Sequence, residues 1–242
     1  MRLEATEETL SQHNLDAQEA AALRLLDKAF VKGEFGRIAL VSSFGADSAV
    51  LLHMLSRVKR DATVLFVDTR MLFQETLAYQ LELTEKFGLT DVRRVTPDPQ
   101  QVRRNDVFGR LHMNDTDSCC ALRKTAPLDA VLQNFDAWIT GRKRHQADTR
   151  SDLKLIEQAD GRIKLNPLVF WEREDIIAYF EKYDLPRHPL VHKGFRSIGC
   201  GPCTSPVAEG EDERAGRWRG SDKTECGIHF ENGRIVRTTV AA

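Results

Sequence analysis

The chain lacks the features that would commit it to a membrane or to a nucleic-acid backbone. No stretch approaches the roughly 18 consecutive apolar residues needed to cross a bilayer, so no transmembrane helix is expected. Lys and Arg number 35 against 36 Asp and Glu, a formal net charge of -1. Without a global positive field, neither nucleic acid nor anionic lipid is an expected partner, and any anion must be held by a local cluster of cations. The stretch from Met1 to Glu8 is acidic and has no apolar core of the secretory type. Internal repeats and low-complexity tracts are missing as well. Cysteine occurs five times, an odd number that does not fit a fully paired disulfide framework. These features predict a cytoplasmic protein whose thiols bind metal or react.

The five cysteines fall into unlike groups. Cys119-Cys120 is a tandem pair, Cys200-Gly201-Pro202-Cys203 is a C-x-x-C, and Cys226 stands alone in Glu225-Cys226-Gly227-Ile228-His229. Two pairs of soft thiolates suit a four-sulfur metal site, which leaves one sulfur for nucleophilic or redox chemistry. Residue type does not separate zinc from an iron–sulfur cluster. Asp117-Ser118 predicts a helix start just before the tandem pair, and Lys124 then falls on the same helical face as Cys120.

The rest of the chain, 242 residues with 41% apolar and 29% charged side chains, reads as an α/β protein. Residues 15–30 carry apolar side chains at helical spacing. Short apolar runs at 37–41, 62–67 and 136–140 read as buried strands, and 92–95 as an extended segment. Helices are expected from about 48 to 58, 75 to 87, 128 to 134 and 172 to 183. Asp160-Gly161 sits between two short extended pieces, a hairpin signal. Alternation of this kind predicts a mainly parallel sheet with helices on both faces. Residues 1–205 are expected to form one domain, and 206–242 a flexible, loop-rich C-terminal segment.

Ligands of such sheets sit beyond the carboxyl ends of the strands. Ser42-Ser43-Phe44-Gly45-Ala46-Asp47-Ser48 lies there, and its hydroxyls and glycine can bring backbone donors onto a phosphate. It is neither a G-x-x-x-x-G-K-[ST] nor a G-x-G-x-x-G sequence. Asp68-Thr69 and the basic run Arg142-Lys143-Arg144, with Arg150 beyond, fall on the same rim, where the cations suit a phosphate contact.

Taken together, these segments resemble the assimilatory adenylyl-sulfate reductases over nearly the whole chain. The carrying pieces are Ser43-Phe44-Gly45, Asp68-Thr69 with Glu75-Thr76, Cys119-Cys120 with Arg123-Lys124, and Gly141 to Gln146. To these are added Ser197 to Thr204, Arg214-Ala215-Gly216-Arg217-Trp218 and Glu225 to His229. The resemblance implies an adenine nucleotide α-hydrolase-like fold with a modified pyrophosphate loop. It also implies one 4Fe–4S cluster on Cys119, Cys120, Cys200 and Cys203, with Cys226 as the catalytic nucleophile. Ser42, Ser43, Phe44, Gly45, Lys124, Arg144, Arg214, Arg217 and His229 become the expected substrate contacts. Arg70 stands where the family often has glycine.

The implied reaction is reduction of adenosine 5′-phosphosulfate to sulfite and AMP through a Cys226 S-sulfonate, within sulfate assimilation for cysteine biosynthesis. The reductant is expected to be a separate thioredoxin, or glutaredoxin or glutathione. The alternatives are use of 3′-phosphoadenosine 5′-phosphosulfate, alone or as a second substrate, an ATP-pyrophosphatase-type tRNA-thiolating or adenylating enzyme, and a non-catalytic zinc module. A homo-oligomer stays open.

Overall fold

The computed structural model describes residues 7–159, 161–221, 223, 225, 230, 231, 234 and 235. Helix α1 (Glu7–Phe30) leads into β1 (Ile38–Ser42), α2 (Ser48–Val58), β2 (Val64–Val67), α3 (Gln74–Lys86) and β3 (Val92–Val95). Three short helices follow: α4 (Pro99–Asn105), α5 (Leu111–Asn114) and α6 (Thr116–Cys120). The last runs through a π-helical stretch, Ala121–Thr125, into α7 (Ala126–Leu132). Then come β4 (Ala137–Ile139), the hairpin β5 (Ile156–Ala159) and β6 (Arg162–Leu165), and α8 (Arg173–Lys182).

The six strands lie in the order β3-β2-β1-β4-β6-β5. All neighbours are parallel except β5, which pairs antiparallel with β6 at the edge. Period-two alternation divides the side chains between two cores. Ile38, Leu40, Val64 and Phe66 pack with α1, α2, α3 and α8, while Ala39, Leu65, Val67 and Trp138 pack with Leu128 and Leu132 of α7. The expected parallel sheet with helices on both faces is what the chain forms.

Strand β1 lies one residue further along than its apolar run suggests, and the helix expected at 128–134 is the end of a longer run from Thr116. Its cap is Asp115, whose side chain accepts from the N–H and hydroxyl of Ser118. The start therefore falls ahead of Asp117-Ser118, and Cys119 and Cys120 end the first turn. Among the described residues, no helix is long and apolar enough to cross a membrane.

Candidate functional site

The order of the sheet reverses beside β1: the chain leaves it for β2 on one side and returns as β4 on the other. Loops leaving the carboxyl ends of β1 and β4 diverge at such a point and leave a crevice. A cleft opens there, lined by Ser42, Ser43, Gly45 and Asp47 after β1, and by Gly141, Arg142 and Lys143 after β4. Arg150, Arg196, Arg214 and Arg217 close it from other loops.

Two expected contacts lie elsewhere. Phe44 is fully buried and absent from the cleft lining; it sits at φ 50° with its ring edge-on to Phe66, 5.0 Å between centroids. It shapes the loop by anchoring it to the core, with its N–H donating to the Ser42 hydroxyl at 3.1 Å. Arg144 also turns away: its Nε donates to the Leu153 carbonyl at 2.9 Å and its guanidinium lies 4.7 Å from the Phe170 ring centroid.

Of the basic run, Arg142 and Lys143 reach the cleft, each with a carboxylate partner. Lys143 is 1% exposed and lies 3.0 Å from Asp47, while Arg142 pairs with Glu157. Burial opposes ionisation of Asp47, but Lys143, with Arg173 and His145 behind it, outweighs burial and holds the carboxyl below its ordinary range. The β1 and β4 loops are thus fastened together across the cleft by a neutralised pair, which sequence patterning does not reveal.

Beyond the end of β2 lies a second, smaller cavity lined by Thr69, Met71, Cys119, Cys120, Cys200 and Cys203. The helix run supplies the first cysteine pair. Its π turn precedes Pro127, whose missing N–H and ring disfavour an ordinary bond to the carbonyl of residue 123. The Ala126 N–H reaches the Ala121 carbonyl rather than that of residue 122, a wider turn of the kind found at functional sites.

The C-x-x-C loop is held on both sides. Gly201 N–H donates to the Met71 carbonyl at 2.7 Å, and Trp218 N–H donates to the Cys203 carbonyl at 3.0 Å. Thr69 Oγ1 lies 3.1 Å from Cys200 Sγ. Gly216 is required by close approach, since a Cβ there would lie 2.1 Å from the Ser205 carbonyl oxygen.

All four described cysteines are free thiols. Burial, then Cys120 with Cys200 and Cys203, pushes the Cys119 thiol up to about 12 against the pull of Arg123. Burial, then Cys200 and Cys120, pushes Cys203 up to about 11 against Arg217 and Lys223. These mutual effects reflect four sulfurs gathered in one place. Among the described residues, no three His, Cys, Asp or Glu side chains converge as they would on one metal ion.

Cations surround this cavity. Arg123 is buried and bonded to buried Asp106, with Nη2 to Oδ2 at 2.7 Å, and its Nη1 approaches the Thr69 carbonyl. Lys124 is 8% exposed rather than solvated. Lys124, Cys200 and Arg217 line both the cleft and the cysteine cavity, so the two share a wall. Arg217 packs flat on Gly199, where a Cβ would lie 2.3 Å from Nη2, and stacks 4.4 Å from the Trp218 centroid. Its Nε is buried with no hydrogen-bond partner.

Non-glycine residues in the left-handed region gather here too: Phe44, Arg70 at φ 61° and Trp218 at φ 49°. Such conformations cluster at functional sites. Arg70 holds the backbone shape that glycine adopts freely.

The segment after residue 205 is tied down through Gly216, Arg217, Trp218 and Glu225. The Glu225 carboxylate takes both Nε and Nη2 of Arg150, at 2.6 and 2.8 Å, and also meets Arg214. Cys226 and His229 lie outside the described residues.

Residues 37–206 match the phosphoadenosine phosphosulfate reductase domain. An adenosine 5′-phosphosulfate reductase of Mesorhizobium japonicum is 50% identical over 201 residues, 83% of this chain and 79% of that protein. A phosphoadenosine 5′-phosphosulfate reductase of Gloeobacter violaceus is 41% identical over 198 residues, 80% of this chain and 82% of its own. Among solved structures, a phosphoadenylyl-sulfate reductase of Candida auris in a phosphate complex superimposes with a TM-score of 0.64 at 22% identity, covering 86% of this chain and all of that one; at that identity the likeness shows the fold alone. With 170 consecutive residues matched by the domain and half of the aligned positions shared with the Mesorhizobium protein, the chain belongs to the phosphoadenosine phosphosulfate reductase family.

Proposed function

We propose that this protein reduces adenosine 5′-phosphosulfate to sulfite and AMP, with Cys226 as nucleophile and a separate thioredoxin-type dithiol as reductant. The observation that carries the reading is the wall of Lys124, Arg217 and Cys200 shared by the nucleotide cleft and the cysteine cavity. A nucleotide seated on the β1 and β4 loops would extend its anionic end toward that wall. There the unpartnered Nε of Arg217 offers a donor where negative charge must be met.

The Cys226 thiolate attacks the sulfate sulfur, and the bond from that sulfur to the phosphate oxygen breaks with its electron pair on AMP. A Cys226 S-sulfonate remains. One thiolate of the dithiol attacks the Cys226 sulfur and sulfite leaves with the bonding pair. The second thiolate then resolves the mixed disulfide, so the carrier is oxidised and Cys226 is returned as a thiol. Lys124, Arg214 and Arg217 lower the repulsion between the attacking thiolate and the sulfate oxygens, and His229 is assigned to the same anion. Ser42, Ser43 and Gly45 receive the nucleotide's phosphate.

Cys119, Cys120, Cys200 and Cys203 would hold a 4Fe–4S cluster. An all-thiolate donor set of four sulfurs lining one cavity suits it. When bound, the cluster supplies fixed charge and organises the loops rather than delivering electrons, since the dithiol carries both. Free thiols in the described chain fit a reducing cytoplasm.

Use of the 3′-phosphorylated nucleotide is the second reading. The cleft cations Arg142, Lys143 and Arg150 already face carboxylates of this chain, which favours the unphosphorylated substrate. Sulfite release measured with thioredoxin on each nucleotide tests the proposal. The expected result is faster turnover of adenosine 5′-phosphosulfate and complete loss in Cys226→Ser; sulfite from Cys226→Ser at the wild-type rate would end it.

A further inference from the structure

We infer that Glu225 is a positioning residue, a latch that seats the segment entering Cys226 at the cleft through Arg150 and Arg214. The inference rests on the reaction proposed above. Arg150 is 7% exposed and each of its guanidinium nitrogens has a partner: Nε and Nη2 donate to Glu225, and Nη1 donates to Gln146 Oε1 at 2.6 Å. Although Arg150 lines the cleft, its donors are turned to Glu225 rather than to a ligand. Thr149 Oγ1 and Arg214 Nη2 reach the same carboxylate, each at 3.3 Å. Burial works against the Glu225 charge, but the Arg150 bonds, with Arg150 and Arg214 nearby, hold the carboxyl below its ordinary range.

Two positions earlier, Lys223 is bound to Asp117 on α6, the helical turn that carries Cys119 and Cys120. Lys223 is therefore fastened to the cysteine helix and Glu225 to the cleft. A bidentate pair with the arginine almost wholly enclosed differs from an exposed ion pair, which fixes little. The residue it fixes immediately precedes the proposed nucleophile in the sequence. Attack on a bound sulfate requires the sulfur to be held to within a fraction of an ångström, and misplacement by about 1 Å costs about 10²-fold in rate.

The test compares the wild-type holoenzyme with Glu225→Gln and Glu225→Asp by three measurements: hydrogen exchange of the 221–229 peptide without nucleotide, AMP affinity, and the single-turnover rate of the Cys226 adduct at saturating adenosine 5′-phosphosulfate. Glu225→Gln is expected to speed exchange, to leave AMP affinity within about twofold, and to slow adduct formation about 10²-fold. Glu225→Asp is expected to recover part of that rate, since it keeps the charge on a shorter arm. Unchanged exchange in Glu225→Gln would overturn the latch. Faster exchange with an unchanged saturated rate would reduce Glu225 to a stabiliser of the tail and overturn the positioning role. Tighter AMP binding with faster adduct formation would make Glu225 a blocker of the anion site, also against the inference. If the wild type forms no adduct, the proposed reaction fails, while the exchange comparison still decides the latch.

Discussion

Ser42, Ser43 and Gly45 stand at the end of a strand that packs into the centre of the sheet, whereas Cys200 and Cys203 stand in a loop with no strand behind it. The rim of the cleft takes its shape from the cores: Phe44 is pinned against Phe66, and the loops of β1 and β4 are fastened by Lys143 and Asp47. The cysteine cavity rests on such packing on one side only, where α6 runs into α7. The Trp218–Cys203 bond and the close passage of Gly216 past Ser205 hold its C-x-x-C side, and buried Arg123–Asp106 braces the helix. Apolar packing thus shapes the rim of the cleft, and polar bonds hold the cysteine loop. The second kind of construction is sensitive to single changes, because removing one partner leaves a buried charge uncompensated.

The largest expected effect follows from that difference. Arg123→Leu leaves Asp106 buried without its cation and should lower stability by about 3–5 kcal/mol. Urea unfolding measures it, and a loss below about 1 kcal/mol would place the pair among exposed ion pairs and break the comparison.

Acid probes a buried polar contact at His188, which is fully buried and lies 3.0 Å from Thr76 Oγ1 on α3. Burial pushes its pKa down to about 4, against a smaller opposing pull from Glu75. The unfolded chain therefore takes up the proton first. The contribution of His188 is fully present above its ordinary value of about 6.5 and declines as pH falls toward the folded value, by about 2 kcal/mol at pH 5. Unfolding free energies of the wild type and His188→Gln over pH 5–7 should converge as pH falls; parallel curves would contradict this.

Gly216→Ala should cost about 1–3 kcal/mol, as overpacking does, because the new methyl meets the Ser205 carbonyl. Thermal unfolding reads it, and the loss should be accompanied by weaker retention of iron if Cys203 is a ligand. The smallest effect is expected from Arg144→Ala, which removes a cation–aromatic contact and the bond to the Leu153 carbonyl, together worth about 1–2 kcal/mol, and leaves AMP affinity, measured by calorimetry, unchanged. A marked drop in affinity would return Arg144 to the cleft.

Much of the sheet was legible because its strands are short apolar runs in a chain otherwise rich in charge. The stretch between β3 and α7 was not. Helix α4 buries none of its residues, so it leaves no hydrophobic period to read, although Asp98-Pro99 carries a cap and a proline at the first position. The π turn is likewise invisible to a 3.6-residue period.

At the site, the spacing of Cys119-Cys120 and of Cys200 to Cys203 predicted a common sulfur site, and those residues do share one cavity. Lys124, Arg214 and Arg217 also line the cleft. The orientations of Phe44 and Arg144 were not legible, since each is set by backbone angle and by a distant neighbour, Phe66 or Phe170. Nor were the partners of the cleft cations, because Asp47, Glu157 and Glu225 come from separate parts of the chain that only the fold assembles.

The most direct measurement for the central claim is intact-protein mass spectrometry after incubation with adenosine 5′-phosphosulfate and no reductant. The account predicts a gain of about 80 Da, one sulfonate, located on Cys226 and discharged as sulfite when thioredoxin is added. An unmodified Cys226 under conditions in which the same preparation turns over with thioredoxin would contradict it.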